Sequence, residues 1–240
     1  MHWKIVRARA ILYVWAPEQR RIEFISLKQC SEDTGKDGIR MEQLKMYLLP
    51  EIHVPKFTLP EGFSVTTYRT EADQQEWFEC CLDGKLVDEA GTAAAAFKKD
   101  IFDRPAIDPY HDVFFLDFGG QHIATSTCYI DAEGKGDLHM VGMRTAWRGK
   151  GLAKYIVFTA VSHLNGKPVK YIHLTTDEFR LGAIRTYLNA GFLPVNYDAD
   201  MKTRWEGVLR DLKITSCVML KDDGSFDRII YAADADTNCS

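Results

Sequence analysis

The sequence predicts a mixed α/β (α+β) protein with a β-rich N-terminal extension. Three observations carry this reading. After residue 58, runs of β-formers alternate with stretches of helical periodicity. Turn signals sit between apolar runs at Gly119-Gly120 and at Lys221-Asp222-Asp223-Gly224, as hairpins require. Residues 1–58 differ from the remainder: they hold 10 Lys+Arg against 7 Asp+Glu, whereas the 240-residue chain carries a net charge of −4.

Ile5–Trp15 and Arg21–Leu27 are rich in β-formers, and Ala16-Pro17-Glu18-Gln19-Arg20 between them predicts a hairpin with a longer loop. Ser31–Gly38 is polar and reads as a loop. Pro50, Pro55 and Pro60 punctuate an extended connector. The boundary is therefore expected near residue 58, with the main domain at 59–240.

Phe63–Arg69 predicts a strand. Thr70 with Asp73 three residues on predicts a capped helix bearing Trp77, Phe78, Cys81 and Leu82 at helical spacing. A second helix is expected from Thr92 to Phe102. Asp112–Phe118 and Gln121–Ile130 predict a hairpin, followed by a strand at Asp137–Met143. The apolar stripe of Leu152, Tyr155, Ile156, Thr159, Ala160 and Leu164 predicts a helix over Gly151–Leu164, ended by Asn165-Gly166. Tyr171–Thr175 is a strand. Asp177 is placed to cap a helix at Glu178–Ala190, and Gly191 fits the left-handed position past its end. A strand at Phe192–Val195, a short helix at Trp205–Leu212 and a hairpin of Ile214–Leu220 with Phe226–Tyr231 complete the pattern.

Composition narrows the function classes. The negative net charge argues against a nucleic-acid binder. The longest apolar stretch near the start, Ala10–Ala16, is too short to span a bilayer, and no cleavage-site pattern follows it. Cys30, Cys80, Cys81, Cys128, Cys217 and Cys239 are scattered, with no C-x-x-C pair, as expected of reduced cysteines in a cytoplasmic protein. Cys80 and Cys81 lie among Trp77, Phe78 and Leu82, which points to the core rather than to a nucleophile. His53, His163 and His173 lack metal-ligand spacing, so no metal is expected.

The chemistry concentrates in Met143–Ala153. A strand ends, a Gly-rich loop carries Arg148 and Lys150, and a helix begins. Glycines let successive backbone N–H groups converge, and the first N–H groups of the helix point into the same space. The helix dipole and two full charges add to the attraction for a pyrophosphate. A P-loop would need Ser or Thr after Gly-Lys, but Gly151 follows Lys150. A Rossmann fingerprint would need a third glycine where Lys154 stands.

Arg148-Gly149-Lys150-Gly151-Leu152-Ala153 has the pattern R-x-x-G-x-A and resembles the acyl-CoA pyrophosphate loop of the GNAT superfamily of N-acetyltransferases. Downstream, Ala183-Ile184-Arg185-Thr186-Tyr187-Leu188-Asn189-Ala190-Gly191-Phe192 is similar to that family's A-x-x-x-Y-x-x-x-G-F helix. The resemblance covers residues 63 to about 220 and not the first 58. It implies a mostly antiparallel central sheet flanked by helices, with acetyl-CoA as co-substrate. In two places the chain departs from the family: Arg180 stands where Asn is frequent, and Thr145 where Pro is common.

The resemblance assigns the loop residues Arg148, Gly149, Lys150, Gly151, Leu152 and Ala153 to the pyrophosphate, with Arg180 in reach of it. Backbone groups near Val141 and Met143 would hold the pantetheine arm. Tyr187 would protonate the leaving thiolate. Asp137 and His139 are candidate bases, because residues two apart on a strand share a face with Val141 and Met143. Trp77, Phe102, Tyr110, His111 and Trp205 are candidates for the acceptor pocket. The expected reaction is acetyl transfer to a primary amine of a small molecule or peptide by direct attack in a ternary complex. A longer acyl donor, or a non-catalytic acyl-CoA-binding regulatory module, are the alternatives. For residues 1–58 a dimerisation element (in a homodimer), an acceptor lid and a sheet extension all remain open.

Overall fold

The structure, a computed structural model, describes residues 42–233. The expected hairpin at residues 5–27 lies outside them. The strands are β1 (Leu44–Leu48), β2 (Phe63–Thr67), β3 (Val113–Phe118), β4 (Gln121–Ile130), β5 (Gly136–Met143), β6 (Ile172–Thr176), β7 (Leu193–Asn196), β8 (Ser216–Lys221) and β9 (Phe226–Tyr231). The helices are α1 (Ala72–Asp83), α2 (Ala93–Phe97), α3 (Pro109–Asp112), α4 (Ala153–Asn165), α5 (Leu181–Ala190) and α6 (Met201–Asp211).

One sheet runs in the order β2-β3-β4-β5-β6-β1-β7-β8-β9. Among the described residues only the β5–β6 and β7–β8 pairs are parallel. The mixed, mostly antiparallel sheet expected from the sequence is therefore present. Residues 44–48, assigned above to the extension, form a strand in the middle of this sheet, antiparallel to both β6 and β7. Leu44, Met46 and Leu48 alternate into the core and are fully covered.

Alternation on β3 shows how the layers form. Phe114 and Leu116 pack with α4 and α5, whereas Val113 and Phe115 pack with Trp77, Phe78 and Cys81 of α1 and with Phe97 and Ile101. Helices thus cover both faces of the β3–β5 region. Burying such side chains stabilises by roughly 1.5–3 kcal/mol each. Trp77 and Trp205 are fully buried, so they belong to the core and not to an acceptor pocket.

Helix starts differ from the sequence reading in two places. Asp73 accepts from the backbone N–H groups of Arg69 and Thr70, but the helix begins only at Ala72. Asp177 does not cap α5, which begins at Leu181; its carboxylate accepts from Gln43 Nε2 and pairs with Arg180 instead. The expected second helix is α2, capped by Thr92, followed by a π-helical turn at Lys98–Phe102. Gly191 takes its left-handed position, φ +97°.

Candidate functional site

The loop after β5 has the form its sequence predicts. A 3₁₀ turn at Thr145–Trp147 leads into Arg148–Leu152, and α4 starts at Ala153. Gly149 and Gly151 have φ of +73° and +70°, and a Cβ on either would meet no atom within 4 Å. The glycines are there for backbone conformation, and the space above them is open. No side chain caps α4; the Tyr155 N–H bonds Leu152 O, and the Ala153 and Lys154 N–H groups before it receive no side-chain cap. Lys150 Nζ lies 4.7 Å from the Trp147 ring centroid.

Arg148 does not extend toward this cradle. Its Nε and Nη2 donate to Met143 O at 3.1 and 2.9 Å, and Nη2 also donates to Asp83 O. It staples the end of β5 and the end of α1 to the loop. Asp83 completes the staple by accepting from the Thr145 N–H. The next charge upstream, Arg144, is likewise committed, pairing with Glu76 and Glu79 of α1.

β5 and β6 form a fork. They pair only through Gly136↔Ile172 and Asp137↔His173. From Leu138 to Met143, the edge of β5 toward β6 has no ladder partner among the described residues. A bulge lies in this free stretch. Thr127 pairs His139 and Thr125 pairs Gly142, so Met140 and Val141 oppose Ser126 alone. Met140 has φ +50°, a conformation that costs an L-residue roughly 1–2 kcal/mol. The strain thus falls where an interior strand of the sheet leaves its edge unpaired.

The bulge changes the faces. Met140 packs with the α1/α2 cluster, while Val141 and Met143 pack with the α4/α5 core. Asp137, His139, Val141 and Met143 therefore do not share a face, contrary to the simple alternation assumed above. Asp137 and His139 lie on the α1/α2 side. Gly142, now turned toward α1, has its missing Cβ 2.6 Å from Cys80 O.

His139 is mostly buried under the π-helical turn, with Nε2 3.2 Å from Asp100 O. The wide turn frees that carbonyl, because the Arg104 N–H bonds Ile101 O instead. A carbonyl only accepts, so Nε2 carries the proton and Nδ1 keeps its lone pair. Burial, reinforced by the nearby Arg104, holds the imidazole pKa below its usual value. Asp137 accepts from Tyr129 Oη at 2.9 Å and lies 3.4 Å from His173 Nε2. Arg104 Nη1 donates to Tyr129 Oη at 3.4 Å. Arg104, Tyr129 and His173 were not singled out as functional from the sequence, because nothing local announces that the chain brings them to His139.

Tyr187 points into the α4/α5 core, 6% exposed and edge-on to Phe192. Burial lifts its phenol pKa to about 12, while the positive charge of Arg180 pulls the other way. Arg180 pairs with Asp177 at 3.0 Å and donates to Lys85 O at 3.0 Å, so it ties α5 to the segment after α1. Neither Arg180 nor Arg148 extends freely into the cradle. Cys80, Cys81 and Cys128 are fully covered, and burial raises the pKa of each. Phe102 and Tyr110 are exposed around Tyr68, and His111 pairs with Asp108.

Comparison with known proteins agrees with this geometry. A mycothiol acetyltransferase from Streptomyces bingchenggensis is 26% identical over 157 residues, covering 65% of this chain and 50% of that protein. Another from Thermomonospora curvata is 23% identical over 189 residues, covering 78% of this chain and 61% of that protein. The chain thus spans half to three-fifths of these two relatives' length. The crystal structure of a GCN5-related N-acetyltransferase from Sphaerobacter thermophilus shares the fold, with a TM-score of 0.51 at 23% identity over 63% of this chain and 47% of that one. The model of the acetyltransferase (GNAT) family matches residues 67–192, from the end of β2 through the tyrosine helix. The chain belongs to the GNAT family of acetyltransferases.

Proposed function

We propose that the protein transfers an acetyl group from acetyl-CoA to a primary amine by direct attack. The observation that carries this reading is the fork between β5 and β6, with a strained bulge on its free edge and an anion cradle at its end. The N–H groups of Gly149–Ala153 and of the first turn of α4 would hold the pyrophosphate. The unpaired edge of β5 at Leu138–Met143 would hold the extended pantetheine arm by main-chain hydrogen bonds. Backbone N–H groups at the bulge would polarise the thioester carbonyl, which develops negative charge as the amine adds.

His139 accepts the amine's proton at Nδ1, kept neutral by burial and oriented by Asp100 O. The amine nitrogen then bonds the acetyl carbon, its second proton passes to solvent as the tetrahedral adduct collapses, the carbon–sulfur bond breaks, and the sulfur leaves as CoA thiolate. Tyr187 supplies its phenolic proton to that sulfur. The raised pKa keeps it protonated at neutral pH. Among the described residues, Cys80, Cys81 and Cys128 argue against a covalent acyl-enzyme on them, since burial keeps each as the thiol. The cradle alone would also suit a binding module, but a neutral base poised beside the bulge favours turnover.

Free-thiol release from acetyl-CoA with a panel of primary amines tests this, using wild type and Tyr187→Phe. The hydroxyl is deleted and the ring retained, so kcat should fall roughly 10- to 1000-fold with acetyl-CoA affinity unchanged. A mutant with wild-type kcat would make Tyr187 a packing residue.

A further inference from the structure

The side of the fork that faces α1 and α2 carries one group of charges with an unusual arrangement. Arg104 Nη1 donates to Tyr129 Oη, and Tyr129 Oη donates to Asp137 Oδ2. A guanidinium and a carboxylate are thus held one phenol oxygen apart rather than in direct contact. Among the described residues no carboxylate lies within ion-pair distance of Arg104, and its buried Nε has no partner. Asp137 has one further neighbour, His173, at 3.4 Å. His139 lies edge-on to the Tyr129 ring, within the electrostatic reach of Arg104 and Asp137.

A cation that is partly withdrawn from water and left without an anion is costly unless a ligand supplies one. An Arg fork is suited to a carboxylate, which it can bind bidentately. Asp137, on the other side of the phenol, is suited to an ammonium. His139, whose Nε2 faces Asp100 O, would accept the proton at Nδ1. We infer that the acceptor is a zwitterionic amine, an amino acid whose carboxylate docks on Arg104 and whose amino group docks between Asp137 and His139. This deepens the proposed acetyl transfer and rests on it for the role of His139.

The recognition is balanced in charge. The acceptor arrives as ammonium carboxylate and meets one negative and one positive side chain. Tyr129, its pKa raised to about 12 by burial and Asp137, stays protonated and spaces the two charges. His139 then removes one ammonium proton, and attack proceeds as above.

Matched acceptors test the inference: an α-amino acid, its decarboxylated amine and its methyl ester. A charged hydrogen bond contributes about 1.5–3 kcal/mol, so the amino acid should exceed the decarboxylated amine by about 10- to 100-fold in kcat/KM. Arg104→Gln should cut that preference, read as the ratio of the two acceptors' kcat/KM within the one variant, to within about twofold; Arg104→Lys should restore part of it. Calorimetry of the same three compounds against CoA-saturated protein reads the preference without chemistry. Carboxylate-dependent binding without turnover would overturn the catalytic reading and leave this inference standing. Turnover with no carboxylate preference, or a preference that survives Arg104→Gln, would overturn the inference and leave acetyl transfer standing.

Discussion

Gly142→Ala tests the packing that places α1 over the bulge. The bulge turns residue 142 toward α1, where a Cβ would stand 2.6 Å from Cys80 O, 2.8 Å from Cys80 C and 3.1 Å from Cys81 N. These are backbone atoms of a helix and cannot rotate away. Ordinary contact begins near 3.4 Å, so α1 must retreat by about 0.8 Å at this point. Its buried residues Trp77, Phe78, Cys80 and Cys81 then lose contact with the sheet. Overpacking of this kind costs about 1–3 kcal/mol, and a gap of 0.5–1 Å forfeits a quarter to a half of each lost dispersion contact. We expect a loss near 3 kcal/mol, or a Tm lower by about 6–12 °C for a domain of this size. Because Asp83 on the same helix holds Thr145 and Arg148, acetyl-CoA binding should also weaken. Gly207→Ala in α6 is the control. Its Cβ meets only Arg210 Nη2 at 3.9 Å, so it should stabilise by about 0.5–1 kcal/mol. Thermal unfolding followed by circular dichroism measures both. A Gly142→Ala protein that melts with wild type would refute the face change at Met140.

Two further outcomes follow from the site. Gly151→Asp places a carboxylate in open space above the cradle and should weaken acetyl-CoA binding more than about 100-fold by calorimetry, with a stability loss of only about 1–2 kcal/mol from the left-handed backbone. Unchanged affinity in a folded variant would move the cofactor elsewhere. His139→Gln should lower kcat by about 10²- to 10⁴-fold and flatten the acid limb of the kcat/KM profile. The sign follows from the lowered pKa: the native imidazole is protonated only below the ordinary histidine range, so activity falls on the acid side, below about pH 6.5. An acid limb that persists unchanged in the variant would assign it to another group.

What was legible in the sequence was local. Gly149, Gly151 and Gly191 announce backbone conformations that other residues resist, and the helix stripes around Ile156 and Ile184 follow from period alone. β1 was hidden, although Leu44-Lys45-Met46-Tyr47-Leu48 alternates, because three prolines just downstream suggested a connector. The bulge could not be read, because it arises from the pairing of β5 with β4 and places a methionine where glycine would be the signal. Strand alternation therefore put His139 and Val141 on one face when they lie on opposite ones. Arg148 carries the family pattern, but its side chain went to two carbonyls, since those are the nearest acceptors once α1 docks beside β5.

The fork and the bulge depend on each other. A strand that continued to pair with β6 would hide its N–H groups in a ladder, and no extended ligand could lie along it. A regular β5 would leave the edge open but keep residue 142 away from α1, and Val141 would turn its side chain from the core. The two-for-one pairing against Ser126 solves both at once. It sends Val141 into the core beside the tyrosine helix and leaves His139 on the side of Asp137. The proposed acid, Tyr187, and the proposed base, His139, thus lie on opposite faces of the sheet. In the proposed reaction an acceptor at the free edge would have His139 on the α1/α2 side and the Tyr187 helix on the other. The strain at Met140 is the local cost of that separation, and the buried Gly142 contact holds it in place.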